Sequence, residues 1–168
     1  MPRFKLSLLI LLAWLVYAGP ATSAEQEYKL SSLRPVDIQF MAQQRSRIDA
    51  LARFDLGKQL QGGKANDLGI LQTLLDRRLV RADQTLELQA MGVVMGDLLA
   101  RELNMEWVIY EDRYGRSRAL KIKYSDTFLF PMTMISRRAE VGATVEVEKI
   151  YRKAIDLMKA HRQAMPFQ

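Results

Sequence analysis

The stretch from Glu106 to Lys123 carries the residue types best suited to chemistry. Glu106, Glu111 and Asp112 are carboxylates of the kind that serve as general acid or base in hydrolysis. A glycosidic carboxylate pair must face across the scissile bond at about 5–10 Å. Glu111 and Asp112 are neighbours on an extended segment, so their side chains leave on opposite faces. Glu106 and Asp112 share a face, but six residues at about 3.3 Å each hold them about 20 Å apart. No catalytic residue is therefore assigned. The three carboxylates stand as candidates for a small envelope hydrolase, with a partner to come from Asp97 or Glu102. The competing reading is structural: a hairpin end tied by ion pairs of Asp112 with Arg113 or Arg116.

A basic run overlaps the same stretch. Arg113, Arg116, Arg118, Lys121 and Lys123 fall within eleven residues that contain no acid. Guanidinium and ammonium groups so placed suit phosphate or carboxylate. Tyr114 and Tyr124 add rings for stacking. Arg113, Tyr114, Arg116, Arg118, Lys121 and Lys123 are the candidate binding residues, and an anionic envelope polymer or an acidic protein is the implied partner. The competing reading is an edge strand kept from aggregating by its lysines.

Other chemistries lack their parts. The chain has no Cys and one His, His161. This excludes disulfide scaffolds, thiolate metal sites, thiol catalysis and multi-histidine centres. Ser136 precedes Arg137 and Arg138 without a nucleophile elbow, and His161 sits where a helix-end cation belongs. Met91, Met95, Met132 and Met134 lie within apolar runs and read as core filler. Trp107 reads as core packing. No phosphate loop or dinucleotide fingerprint occurs. Neither a metal nor a cofactor is expected.

The elements that must position these residues follow from composition and periodicity. Of 168 residues, 49% are hydrophobic and 26% charged, with a net charge of +6, which suits a folded domain rather than a disordered chain. Residues 1–24 read as a secretory signal peptide. Arg3 and Lys5 precede the apolar run Leu6 to Ala18, then come Gly19-Pro20 and the small residues Thr22-Ser23-Ala24. The run is short of the roughly 20 residues that a permanent anchor needs. Cleavage near Ala24 removes 24 of 168 residues, leaving 144, and takes Arg3 and Lys5 with it, so the charge falls from +6 to +4. An exported, periplasmic protein is expected, with no nucleic-acid partner. No later segment has 18 consecutive apolar residues, so no membrane span is expected after cleavage.

Residues 25–34 read as a flexible leader, and 35–168 as a single domain. Pro35 starts a helix, with Ile38, Met41, Ile48, Leu51, Ala52 and Leu56 as its apolar stripe and its end near Gly57. Asn66 or Asp67 caps a second helix running to about Leu79. Asp83 caps a third, apolar nearly all round, to about Leu103. Its Gly92 and Gly96 lie one turn apart, which suits either a membrane GxxxG dimer seam or a close approach of another helix or the sheet inside a core; Gln89 and Asp97 interrupt the apolar run and favour the second. The period then changes to two. Glu106 to Asp112 reads as a strand, Arg113 to Ser117 as its turn, Ala119 to Tyr124 as a second strand and Thr127 to Phe130 as a third. A short helix over Met132 to Glu140 and a last helix from about Val145 follow. The sum is α+β: N-terminal helices packed on a three-stranded antiparallel meander, then a C-terminal helix.

Several segments together resemble a known family. They are Gln89-Ala90-Met91-Gly92-Val93-Val94-Met95-Gly96-Asp97, Glu106-Trp107-Val108, Glu111-Asp112-Arg113-Tyr114-Gly115-Arg116, Leu129-Phe130-Pro131-Met132 through Arg138, and Val147 with Ile150-Tyr151. The region from about 85 to 151 resembles the bacterial family termed domain of unknown function 3806. The resemblance implies an α+β domain in bacterial, often exported, proteins. It implies no active site and no residue roles. From the residues alone, the expected function is that of an exported binding domain using its basic hairpin, with the carboxylate hydrolase as the alternative.

Overall fold

The computed structural model describes residues 28–163, so the expected signal peptide and the first residues of the leader lie outside the described residues. The chain runs β1 (Lys29–Ser32), α1 (Pro35–Leu56), α2 (Lys64–Asp76), α3 (Thr85–Leu103), β2 (Met105–Asp112), β3 (Gly115–Ile122), β4 (Phe128–Leu129), α4 (Met132–Glu140) and α5 (Val147–Gln163). The four strands form one antiparallel sheet in the order β1-β2-β3-β4. The α+β class holds, but among the described residues the sheet has four strands, not three. Lys29–Ser32, expected in a flexible leader, pairs with Val108–Glu111 of β2. Local sequence gives such a short, mostly exposed edge strand no period; its pairing across three helices creates it.

The helices are built from the expected stripes, with shifted ends. Pro35 opens α1, and Gly57, at φ 61°, closes it in the left-handed conformation. Its buried stripe is Asp37, Met41, Gln44, Ile48 and Ala52, so Ile38, expected inside, is exposed and a carboxylate takes the core side. Helix α2 starts at Lys64, ahead of the expected caps. Buried Asp67 instead accepts the Gln61 and Gly62 N–H groups and so ties down the preceding loop. It ends at Asp76, short of Leu79, because Arg78 takes a left-handed φ of 56°. Helix α3 starts one residue past the expected position, with Gln84 at its N-cap, while Asp83 pairs with Arg81 at the surface.

Helix α3 is the central element, buried over most of its length from Leu88 to Leu103. Gly92 and Gly96 serve the close approach the spacing implied. A Cβ at Gly92 would stand 2.5 Å from the Pro131 carbonyl oxygen, and one at Gly96 would stand 2.5 Å from the Trp107 ring. The main core joins Met105, Leu120, Ile122 and Leu129 of the sheet to apolar residues of all five helices. Trp107 faces the same side and donates its indole N–H to Asp97 of α3 at 3.0 Å. The opposite sheet face carries Tyr28, Tyr110 and Phe128, whose rings pack at centroid distances of 5.1–5.4 Å. No helix among the described residues is long and apolar enough to cross a membrane.

Candidate anion-binding cleft

The β2–β3 hairpin closes over Arg113 and Tyr114, with Asp112 opposite Gly115. Asp at the first turn position and Gly at the fourth match type I preferences, and Asp112 Oδ1 accepts the Tyr114 N–H at 2.8 Å. The turn is shorter than expected, so Arg116 and Arg118 belong to β3. The expected Asp112–arginine ion pairs do not form. At the tip, the Arg113 guanidinium lies 4.7 Å from the exposed Tyr114 ring centroid.

Alternation along β3 decides where the cations go. Arg116, Arg118, Leu120 and Ile122 face the helices, while Ser117, Ala119 and Lys121 face away. Arg116 and Arg118 therefore reach α1, where they meet the fully buried carboxylate of Asp37. Arg116 donates two hydrogen bonds to it, at 3.0 and 2.7 Å, and Arg118 one at 2.9 Å. The backbone N–H of Arg34, the N-cap of α1, adds a fourth at 3.2 Å. The Arg116 hydrogen bonds hold Asp37 far below the usual carboxylate range, against burial, which alone would raise it. The same contact holds the Arg116 guanidinium up. The Arg118 guanidinium also lies 4.0 Å from the Phe40 ring centroid, and its buried Nε has no hydrogen-bond partner among the described residues.

A cleft of about 580 Å³ opens beside this cluster. One wall is the β3 segment Gly115 to Arg118. The other is Phe130, Met132, Thr133 and Arg137, with Gln89 of α3, Tyr110 and Tyr114 completing the lining. Three arginines from two elements thus border one space, and the single carboxylate among the lining residues, Asp112, already holds the turn. Arg137 is exposed on α4 and has no ion pair or hydrogen bond among the described residues. Tyr110 and Phe130, with centroids 5.3 Å apart, give the cleft an aromatic side.

Of the expected binding residues, the cleft brings together Tyr114, Arg116 and Arg118. Arg113 stays at the hairpin tip. Lys121 sits opposite Glu106 and Phe128, and Lys123 lies in the turn beyond Ile122, the end of β3, which is itself about 20 Å along the strand from Arg116. Lys121 lies between two strands, so it does not guard an outer edge. The three candidate carboxylates are scattered: Glu106 and Glu111 are exposed on opposite faces, and only Asp112 borders the cleft. That is one carboxylate where a glycosidic mechanism needs two. Asp97, a suggested partner, is held by both Arg45 and Trp107, and Glu102 accepts from Tyr151 and Lys64. Ser136 is buried in α4, and His161 is exposed in the last turn of α5. Among the described residues no group of three metal-ligating acids or imidazoles comes together.

Sequence reasoning missed Asp37 and Arg137. Asp37 had a signal: it continues the Met41, Ile48, Ala52 stripe one turn back. Arg137 had none, because only the packing of α4 beside β3 gives it a role.

The protein is thus an α+β domain with helices against one face of an antiparallel sheet and an arginine-bordered cleft at the sheet's margin. The sequence profile of the family described as a domain of unknown function (DUF3806) matches residues 67–151, half of the chain, and the chain belongs to that family. Both walls of the cleft lie within the matched residues, whereas β1 and Asp37 lie before them. A crystal structure from Bacteroides thetaiotaomicron VPI-5482 shares the fold with a TM-score of 0.70 and 22% identity, over 77% of this chain and 47% of that one. This chain spans about half the length of that protein, and at that identity the likeness concerns the fold. None of the curated proteins compared matches the chain.

Proposed function

We propose that this protein is an exported binding domain whose cleft between β3 and α4 takes an anionic group of an acidic envelope partner. The observation that carries the reading is the convergence of Arg116, Arg118 and Arg137 on one space whose lone lining carboxylate is already engaged. Asp37 fixes two of the guanidinium groups before any ligand arrives, which lowers the ordering cost of binding. Counted together, Arg34, Arg116, Arg118 and Arg137 carry four positive charges against the three negative charges of Asp37, Glu111 and Asp112, so the cluster keeps a positive excess of one. Support for export comes from the order of charges, apolar run and small residues over 1–24.

The test is titration of the protein with inorganic phosphate and citrate, followed through its backbone amide spectrum. Shifts confined to Gly115–Arg118 and Phe130–Arg137, weakening as salt rises, are expected. Arg137→Ala should weaken binding about tenfold, the scale of one charge-assisted hydrogen bond. Saturating anion that moves no cleft amide overturns the proposal.

A further inference from the structure

Strand β4 pairs with β3 at only two positions, Leu120 with Leu129 and Lys121 with Phe128. Two residues later Pro131 interrupts, since it has no N–H to donate, and the chain turns into α4. The upper half of β3, Gly115 to Arg118, therefore has β2 on one side and no strand on the other, among the described residues. The direction of its free backbone groups can be read. Ile122 donates its N–H to the Thr127 carbonyl, on the β4 side, at 3.2 Å. In an antiparallel ladder, alternate residues send both N–H and C=O to the same side. Arg118 and Arg116 share the parity of Ile122, so their N–H and C=O point along the free edge, which is the side of the cleft.

The side chains around that edge are sorted by face. Arg116 and Arg118 lie on the helix-facing side, as α4 does with Arg137. Tyr110 and Phe130 lie toward the outer side, with ring centroids 5.3 Å apart. A strand laid in this cleft would meet cations on one face and aromatic rings on the other. Resting on the reading of the cleft as an anion site, we infer that its occupant is an extended acidic segment of a partner polypeptide, added as a strand to the edge of β3. Backbone pairing with Arg116 and Arg118 supplies affinity. The sorted faces supply specificity for a period-two pattern: acidic residues toward Arg116, Arg118 and Arg137, and apolar residues between them toward Tyr110 and Phe130. An edge of this kind invites pairing with another chain, and here the arginine clamp selects which chain.

The test uses the blocked peptide Ac-Ser-Glu-Val-Glu-Val-Glu-Ser-amide and two derivatives, one N-methylated at every Glu and one at every Val. Alternate residues of a strand direct their N–H groups to opposite edges, so only one derivative loses the donors that face β3. The expected result is binding of the parent peptide with slowed exchange of the Arg116 and Arg118 amides. One derivative should then bind at least about tenfold more weakly, and the other should bind nearly as well as the parent. Equal binding by all three peptides, still weakened by Arg137→Ala, overturns strand addition and leaves the anion site standing. Failure of the parent peptide while inorganic phosphate shifts the cleft amides does the same. Failure of both peptide and phosphate overturns the anion site as well.

Discussion

Asp37 shows how one side chain can organise a surface. Its carboxylate is fully buried, yet it accepts from Arg34, Arg116 and Arg118, and so it joins the start of α1 to the middle of β3. Asp37→Asn keeps the shape and removes the charge, leaving two guanidinium groups without their counter-ion. Both arginines retain some solvent contact, so a loss of about 3 kcal/mol at pH 7 is expected, the low end for breaking a buried pair. The sign with pH follows from the depressed carboxylate. Its stabilisation is fully present above the unfolded value of about 3.9 and is lost as pH falls below it. Urea denaturation at pH 7 and pH 3 should show the gap between wild type and Asp37→Asn narrowing in acid. A gap that stays constant would mean that Asp37 is not held ionised by its arginines.

Helix α3 carries the corresponding lesson for elements. Its two glycines exist because Pro131, Met132 and Trp107 press against them. Ala is ordinarily the better helix former by about 1 kcal/mol. At Gly92, however, a Cβ would meet the backbone of Pro131 and Met132 at 2.5–2.8 Å, and backbone cannot step aside. Gly92→Ala should therefore destabilise by about 1–2 kcal/mol net. Gly69, exposed on α2, has nothing within 4 Å of such a Cβ, so Gly69→Ala should stabilise by about 0.5–1 kcal/mol. Denaturation midpoints of the two variants should move in opposite directions. The same contact that crowds Gly92 also seats α4 beside β3, so the helix glycine sets one wall of the cleft.

For the whole molecule, stability should fall from the centre outward. Helix α3 and the paired middle of β2 and β3 lie at the centre, while β1 is a four-residue edge strand with mostly exposed side chains. Amide exchange of the ligand-free protein should be slowest in α3, β2 and β3 and fast in β1. Within β3, Ser117 and Ala119 direct their N–H groups toward β2, whereas Arg116 and Arg118 direct theirs to the free edge. Alternating slow and fast exchange along 116–119 is expected. Uniform protection there would mean that the edge is already covered.

The helices and the hairpin were legible in the chain because their causes are local. Apolar steps of three and four marked the helices, a change to period two marked β2 and β3, and Gly115 marked the turn between them. Gly92 and Gly96 announced a close packing without naming its partner. Strand β1 was illegible, since Lys29–Ser32 becomes a strand only by pairing with residues about 80 positions away. The basic run was visible as composition, but its division was not. Strand alternation and distant Asp37, 79 and 81 residues from Arg116 and Arg118, drew those two arginines toward the helices. Lys121 and Lys123 were left elsewhere. Sequence by itself determined the helices, the hairpin and the sign of the charge, because periodicity and composition act over a few residues. Tertiary structure alone decided which cations share a cleft and which backbone edge stays open, because those depend on packing between elements far apart in the chain.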